Sequence, residues 1–112
     1  MRQTYKGECI DNQDMKYIFE GKDITNRNIH LSDERWHHIA EEHPEVTPYF
    51  VEFGDILKHP IKVVSYIEDP LVRYFYRYYK QRISAAKYLM LIVKYLNGEG
   101  FIITAYFTRY IT

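Results

Sequence analysis

The sequence predicts an α+β domain, with two N-terminal helices packed on one face of a roughly four-stranded antiparallel sheet. Three observations lead there. A helix with clear start and stop signals runs from Ser32 to His43. Four β-prone segments then follow one another between Ile61 and Ile111. The last two flank Asn97-Gly98, a strong signal for a two-residue hairpin loop. Helices followed by a strand meander make an α+β pattern.

The 112 residues suit one domain with one core, so 1–112 reads as a single unit. Residues 1–28 read as an N-terminal hairpin extension. Its arms are 4–10 and 15–20, joined by the turn-rich Asp11-Asn12-Gln13-Asp14. The first helix has Ser32 as N-cap, with Asp33 and Glu34 in its first turn, where the helix dipole favours negative charge. Pro44 stops it. Trp36, Ile39, Ala40 and His43 share one side, while Glu34, His38, Glu41 and Glu42 lie on the other. A second, shorter helix is expected from about Pro48 to Leu57, with Phe50, Phe53, Ile56 and Leu57 inward.

The expected strands are Ile61–Ile67, Leu71–Tyr79, Ala86–Leu96 and Phe101–Ile111. In the last, period-2 alternation puts Phe101, Ile103, Ala105 and Phe107 in an apolar row. Ile102, Thr104, Tyr106, Thr108 and Tyr110 form a second, hydroxyl-rich row. The apolar row is expected against the helices, which leaves the other row on an open face.

Charge is unevenly distributed. Residues 1–60 hold 7 Lys and Arg against 12 Asp and Glu, whereas residues 61–112 hold 8 against 3. The neutral total thus hides an acidic half and a basic half. Either the basic half offers an anion-binding surface or the two halves simply attract each other. The single cysteine, Cys9, excludes an internal disulfide and a cysteine-based zinc site. The N-terminus lacks the apolar core of a signal peptide, and the longest apolar run, Tyr88–Val93, is far short of a membrane span. A cytoplasmic protein without membrane association is expected.

Arg73, Arg77, Lys80, Arg82 and Lys87 sit among Tyr74, Tyr76, Tyr78, Tyr79 and Tyr88. Cations neutralise phosphates and tyrosines stack on unpaired bases, so this interleaving suits single-stranded RNA. An ordinary tyrosine-rich sheet with solvated arginines is the plainer explanation. His43, at a helix C-terminus beside a basic sheet, is either a general acid or base or a packed residue that ends the helix. His37, His38 and His43 lack the spacing of a metal pair on one helical face, so no metal and no cofactor is expected.

The order of the pieces carries a resemblance. Arg35-Trp36-His37-His38-Ile39, His43-Pro44-Glu45, Ile56-Leu57-Lys58-His59-Pro60, the Arg/Tyr strand, Tyr88–Val93 and Ile103-Thr104-Ala105-Tyr106 follow in that sequence. Over residues 29–110 this resembles the barnase–EndoU–colicin–RelE-like nucleases, in particular their phage-type branch. The resemblance implies a metal-independent endoribonuclease, a toxin of a toxin–antitoxin pair or an effector domain, that attacks the phosphate with the ribose 2′-hydroxyl. It implies RNA as partner, met free or on the ribosome, and an antitoxin protein as a second partner. It also implies catalytic roles for His38, His43, Arg77, Thr104 and Tyr106, and RNA contacts from Arg73, Lys80, Arg82 and Lys87. A non-catalytic RNA- or protein-binding module of the same fold is the alternative. On the nuclease reading His43, Arg77 and Tyr106 should share one phosphate-sized cleft.

Overall fold

A computed structural model describes residues 16–112. The expected hairpin arm 4–10 and its turn lie outside the described residues. The second arm overlaps a strand, β1 (Tyr17–Lys22), whose partner is the following strand, β2 (Asn28–Ser32). The loop between them is built on Asp23, whose Oδ1 accepts from the backbone N–H groups of Thr25 and Arg27 and from the Thr25 hydroxyl. Asn26 takes the left-handed conformation there (φ 70°), as short polar residues in turns do.

Ser32 ends β2 and also caps α1 (Asp33–Glu42), its hydroxyl accepting from the Arg35 N–H at 3.1 Å. The second helix departs from the expected Pro48–Leu57. A 3-10 helix spans Pro44–Glu52 and runs directly into α2 (Phe53–Lys58). Pro48 lies inside the 3-10 stretch, where a missing N–H prevents regular α-helical bonding. The remaining strands are β3 (Lys62–Ser65), β4 (Val72–Tyr78), β5 (Tyr88–Leu96) and β6 (Glu99–Thr108). Asn97 and Gly98, both with positive φ, join β5 to β6 in the expected two-residue turn.

The α+β class holds, but among the described residues the sheet has six strands and is mixed, not four and antiparallel. Its order is β1-β2-β6-β5-β4-β3. The β2–β6 pairing is parallel and short, with only Ile29 opposite Gly100 and His30 opposite Phe101. A Cβ on Gly100 would lie 2.9 Å from Val93 Cγ1 and closer still to Ile29 Cδ1, so this crossing needs glycine. After two pairs β2 turns into α1, which packs against β6 in place of a strand.

One sheet face carries the core. Ile39, Val46, Phe53, Ile56 and Leu57 from the helical layer bury against Phe75, Leu89, Leu91, Val93, Ile102 and Ala105. Each of these side chains except Ala105 stabilises the fold by roughly 1.5–3 kcal/mol through loss of apolar contact with water. Trp36 joins at the edge, packed on Phe50 and Phe53 at 4.7 and 5.9 Å between ring centroids.

Strand β6 corrects the expected alternation. Its register shifts by one residue: Thr104 stands opposite Ile92, but Ile102 stands opposite Val93. Ile103 is the extra, bulged residue. Below it the faces swap. Ile102 is buried with the core, and Phe101 moves to the open face opposite Lys94. Above it Ala105 stays in the core and Thr104 and Tyr106 stay on the open face.

Candidate functional site

The open face follows from strand register. Residues paired across strands share a face. One row runs Lys62–Tyr76–Met90–Tyr106, the next Val64–Tyr74–Ile92–Thr104, and a third ends in Tyr78–Tyr88–Thr108. Tyr66 adds its ring to Tyr74 at 5.7 Å and 27°, and Tyr78 lies 5.1 Å from Tyr88. Burial, and then the neighbouring Tyr66 and Tyr106 hydroxyls, hold the Tyr74 phenol above its ordinary pKa. The Tyr74 phenol therefore stays protonated as a hydrogen-bond donor. Tyr76 is covered, its hydroxyl 3.1 Å from Thr112 Oγ1.

His43 is the one helical residue of the expected set that reaches this face. It ends α1 with φ −135° and ψ 67°, its N–H donating to Ile39 O at 2.7 Å. Its ring lies parallel to Tyr106 within 25°, at 5.1 Å between centroids. Glu45 Oε2 is 3.9 Å from Nδ1. His43 and Tyr106 come from distant parts of the chain, and the α1–β6 packing brings them together. Thr104 is two residues from Tyr106 on the same face.

Arg77 is not there, and the shared cleft expected for His43, Arg77 and Tyr106 is absent. Arg77 stands opposite Leu89, so it projects with Phe75 towards the helices. Its Nη2 donates to Asp55 Oδ2 at 2.6 Å and to the carbonyls of Asp55 and His59. Burial alone would lower the Arg77 pKa, but the hydrogen bond and charge of Asp55 raise it. The physical reason is the pleat: Arg77 and Tyr106 occupy opposite faces of one sheet. His38 is exposed on α1 and, five residues from His43, falls on a different side of the helix.

The basic residues divide similarly. Arg73 shares the helix-covered face and sits 5.2 Å from the centroid of Tyr95, with Arg27 at 5.1 Å on the same ring. The Tyr95 hydroxyl donates to Asp23 at 2.5 Å, so this cluster anchors the Asp23 loop. Lys87 Nζ donates to the Arg82 carbonyl and ties the 80–87 loop. Lys80 and Arg82 do meet, in a cleft of about 340 Å³ with Tyr49, Tyr78, Tyr79 and Gln81. Arg82 lies 3.6 Å above the Phe107 ring, and the Tyr79 hydroxyl donates to Glu52. Exposed Tyr78 belongs both to this cleft and to the open face, so the two are continuous.

Sequence reasoning missed a second cleft, of about 290 Å³, at the other end of the face. Tyr17, His30, Arg35, Lys94, Phe101 and Ile103 line it. Only the Ile103 bulge brings Phe101 and Ile103 there, and because Phe101, Ile102 and Ile103 are all apolar, period-2 reading fits either face at that point.

These elements define an α+β domain with a mixed sheet, one face closed by helices and the other rich in tyrosine. Compared with protein-family models, curated proteins and solved structures, the chain matches none. Among the described residues no helix is long and apolar enough to cross a membrane.

Proposed function

We propose that this protein binds single-stranded RNA on the open face of its sheet and cuts it at His43 and Tyr106 without a metal ion. The observation that carries the reading is the His43–Tyr106 stack at the edge of a tyrosine-rich surface. His43 takes the proton of the ribose 2′-hydroxyl as that oxygen attacks the adjacent phosphorus. The bond from phosphorus to the 5′-oxygen breaks, and Tyr106 supplies the leaving oxygen's proton. The products are a 2′,3′-cyclic phosphate and a 5′-hydroxyl. Thr104 offers a hydroxyl to the developing phosphorane charge. Lys80 and Arg82 hold the RNA backbone beside Tyr78, whose exposed ring offers a base a stacking surface. The toxin or effector role, an antitoxin partner and a cytoplasmic location are supported by the resemblance of the motif pieces and by the sequence composition.

A second reading is a non-catalytic RNA-binding module. It is favoured by Arg77, the expected phosphate cation, being bound to Asp55 on the opposite face. One experiment separates the two. Labelled RNA is incubated with purified protein in EDTA, with and without ribosomes, and its ends are analysed. Cyclic phosphate ends that vanish with His43→Ala support the nuclease. RNA binding without cleavage across a range of pH supports the module. No binding at all removes both.

A further inference from the structure

We propose that the cleft bounded by Tyr17, His30, Phe101 and Arg35 is a nucleotide pocket, which holds one base of the bound strand by stacking and does not discriminate among bases. This rests on the RNA reading of the open face.

The cleft has the volume and lining of a small-ligand site, about 290 Å³ with mostly apolar walls. Its platform is a run of three rings. Tyr17 lies 4.7 Å from His30, and His30 lies 5.2 Å from Phe101 at 29°. Leu96 and Ile103 complete the apolar wall. A flat, apolar, π-bearing body suits these surfaces.

The polar groups argue against reading of the base edge. His30 Nδ1 is 2.9 Å from Glu20 Oε2 and Nε2 is 2.5 Å from Glu99 Oε1, so both ring nitrogens are engaged. A carboxylate at each ring nitrogen holds the imidazole in the stack. The Ser32 hydroxyl already caps α1, and Lys94 donates to Asp69 at 3.0 Å. Arg35 lines the cleft from the first turn of α1, exposed and with no carboxylate partner among the described residues. It is the cation for the nucleotide's phosphate. The carboxylates nearby, Glu20, Glu99 and Asp69, are each held by His30 or Lys94.

The position fits a strand that also reaches His43. Phe101 and Tyr106 are on one face of β6, opposite Lys94 and Met90 of β5, and so about 13 Å apart at the rise of an extended strand. A short oligonucleotide spans that distance.

The test is an NMR titration of the whole chain with adenosine 5′-monophosphate, uridine 5′-monophosphate and inorganic phosphate as separate probes. Both nucleotides are expected to shift the Tyr17, Leu96, Phe101 and Ile103 signals with similar affinity, whereas phosphate alone leaves Leu96 and Ile103 unmoved. Arg35→Ala, at an exposed position, is expected to weaken both by about tenfold. Leu96→Asp, also exposed, is expected to abolish the Ile103 shift. Shifts confined to the Lys80–Arg82 cleft, a strong preference for one base, or identical shifts from phosphate alone would overturn the pocket. RNA binding and cleavage measured on the same protein preparation keep the two readings apart. Cleavage without nucleotide in this cleft removes the pocket only. Nucleotide in the cleft without RNA binding removes the RNA reading and leaves a mononucleotide site.

Discussion

The imidazole of His43 lies against the ring of Tyr106, 5.1 Å away and within 25° of parallel, joining the end of α1 to the open face of β6. Two groups able to move protons thus meet on the side of the sheet away from the core. His43→Ala and Tyr106→Phe are expected to lower RNA cleavage by about 10²–10⁴-fold each, the usual contribution of general acid–base catalysis. His38→Ala is expected to leave the rate near wild type, because His38 is exposed away from this pair. Single-turnover cleavage of a labelled oligonucleotide checks all three.

Arg77 gives a contrary prediction. Its guanidinium ties β4 to the end of α2 through Asp55 and His59. Arg77→Ala is expected to cost about 1 kcal/mol of stability, since Asp55 is largely exposed and the pair is partly screened. Cleavage by the folded variant should persist. Urea unfolding beside the cleavage assay separates these effects. Loss of cleavage with unchanged stability would return Arg77 to the reaction centre.

Lys80 should act through phosphate. Lys80→Ala is expected to weaken RNA binding across sequences and reduce the slope of log K against log salt by about 0.7, the change for one lost contact to a single strand. Binding isotherms at several salt concentrations read this directly.

Asp23 makes stability depend on pH. Burial alone would raise its pKa, but hydrogen bonds from Tyr95, Thr25 and Arg27 lower it below the ordinary 3.8. Its contribution is therefore complete above that value and is lost as pH falls through the lower, folded value. Tyr95 runs the other way. Burial first, then the Asp23 hydrogen bond, raise its pKa above the ordinary 10.0, so its contribution is complete below pH 10.0 and declines above it. Asp23→Ala is expected to cost about 3 kcal/mol, with several buried donors left unpaired, and to flatten the acid limb of the stability curve. Chemical denaturation across pH tests it.

Gly100 has no room for a side chain where β2 crosses β6. Gly100→Ala is expected to destabilise by about 1–3 kcal/mol, because Ile29 and Val93 must move within a packed core. Thermal unfolding measures the loss. A neutral result would mean that β2 and β6 separate more easily than their contact suggests.

The elements whose signals are local were legible in the sequence. Ser32 and Pro44 bound α1, Asn97-Gly98 makes the β5–β6 turn, alternation of Arg and Tyr marks β4, and a nearly continuous apolar run marks β5. Period-2 reading also separated Thr104 and Tyr106 from Ala105. It placed Arg77 and Tyr76 on opposite faces of β4, but it could not say which face of β4 joined which face of β6. That depends on register between strands, a long-range property.

The sequence by itself therefore determined the α+β class, α1 with His43 at its end, and the tyrosine-rich hairpin strands, because caps, turns and alternation act over a few residues. Only the tertiary structure decided the parallel β2–β6 crossing, the Ile103 bulge and the division of the arginines from Tyr106. The crossing rests on two residue pairs and a glycine packed against Ile29 and Val93. The bulge is a shift in the pairing of β6 with β5, a property of two strands together and not of either alone. Those constraints join segments far apart in the chain, and they set which side chains share the open face.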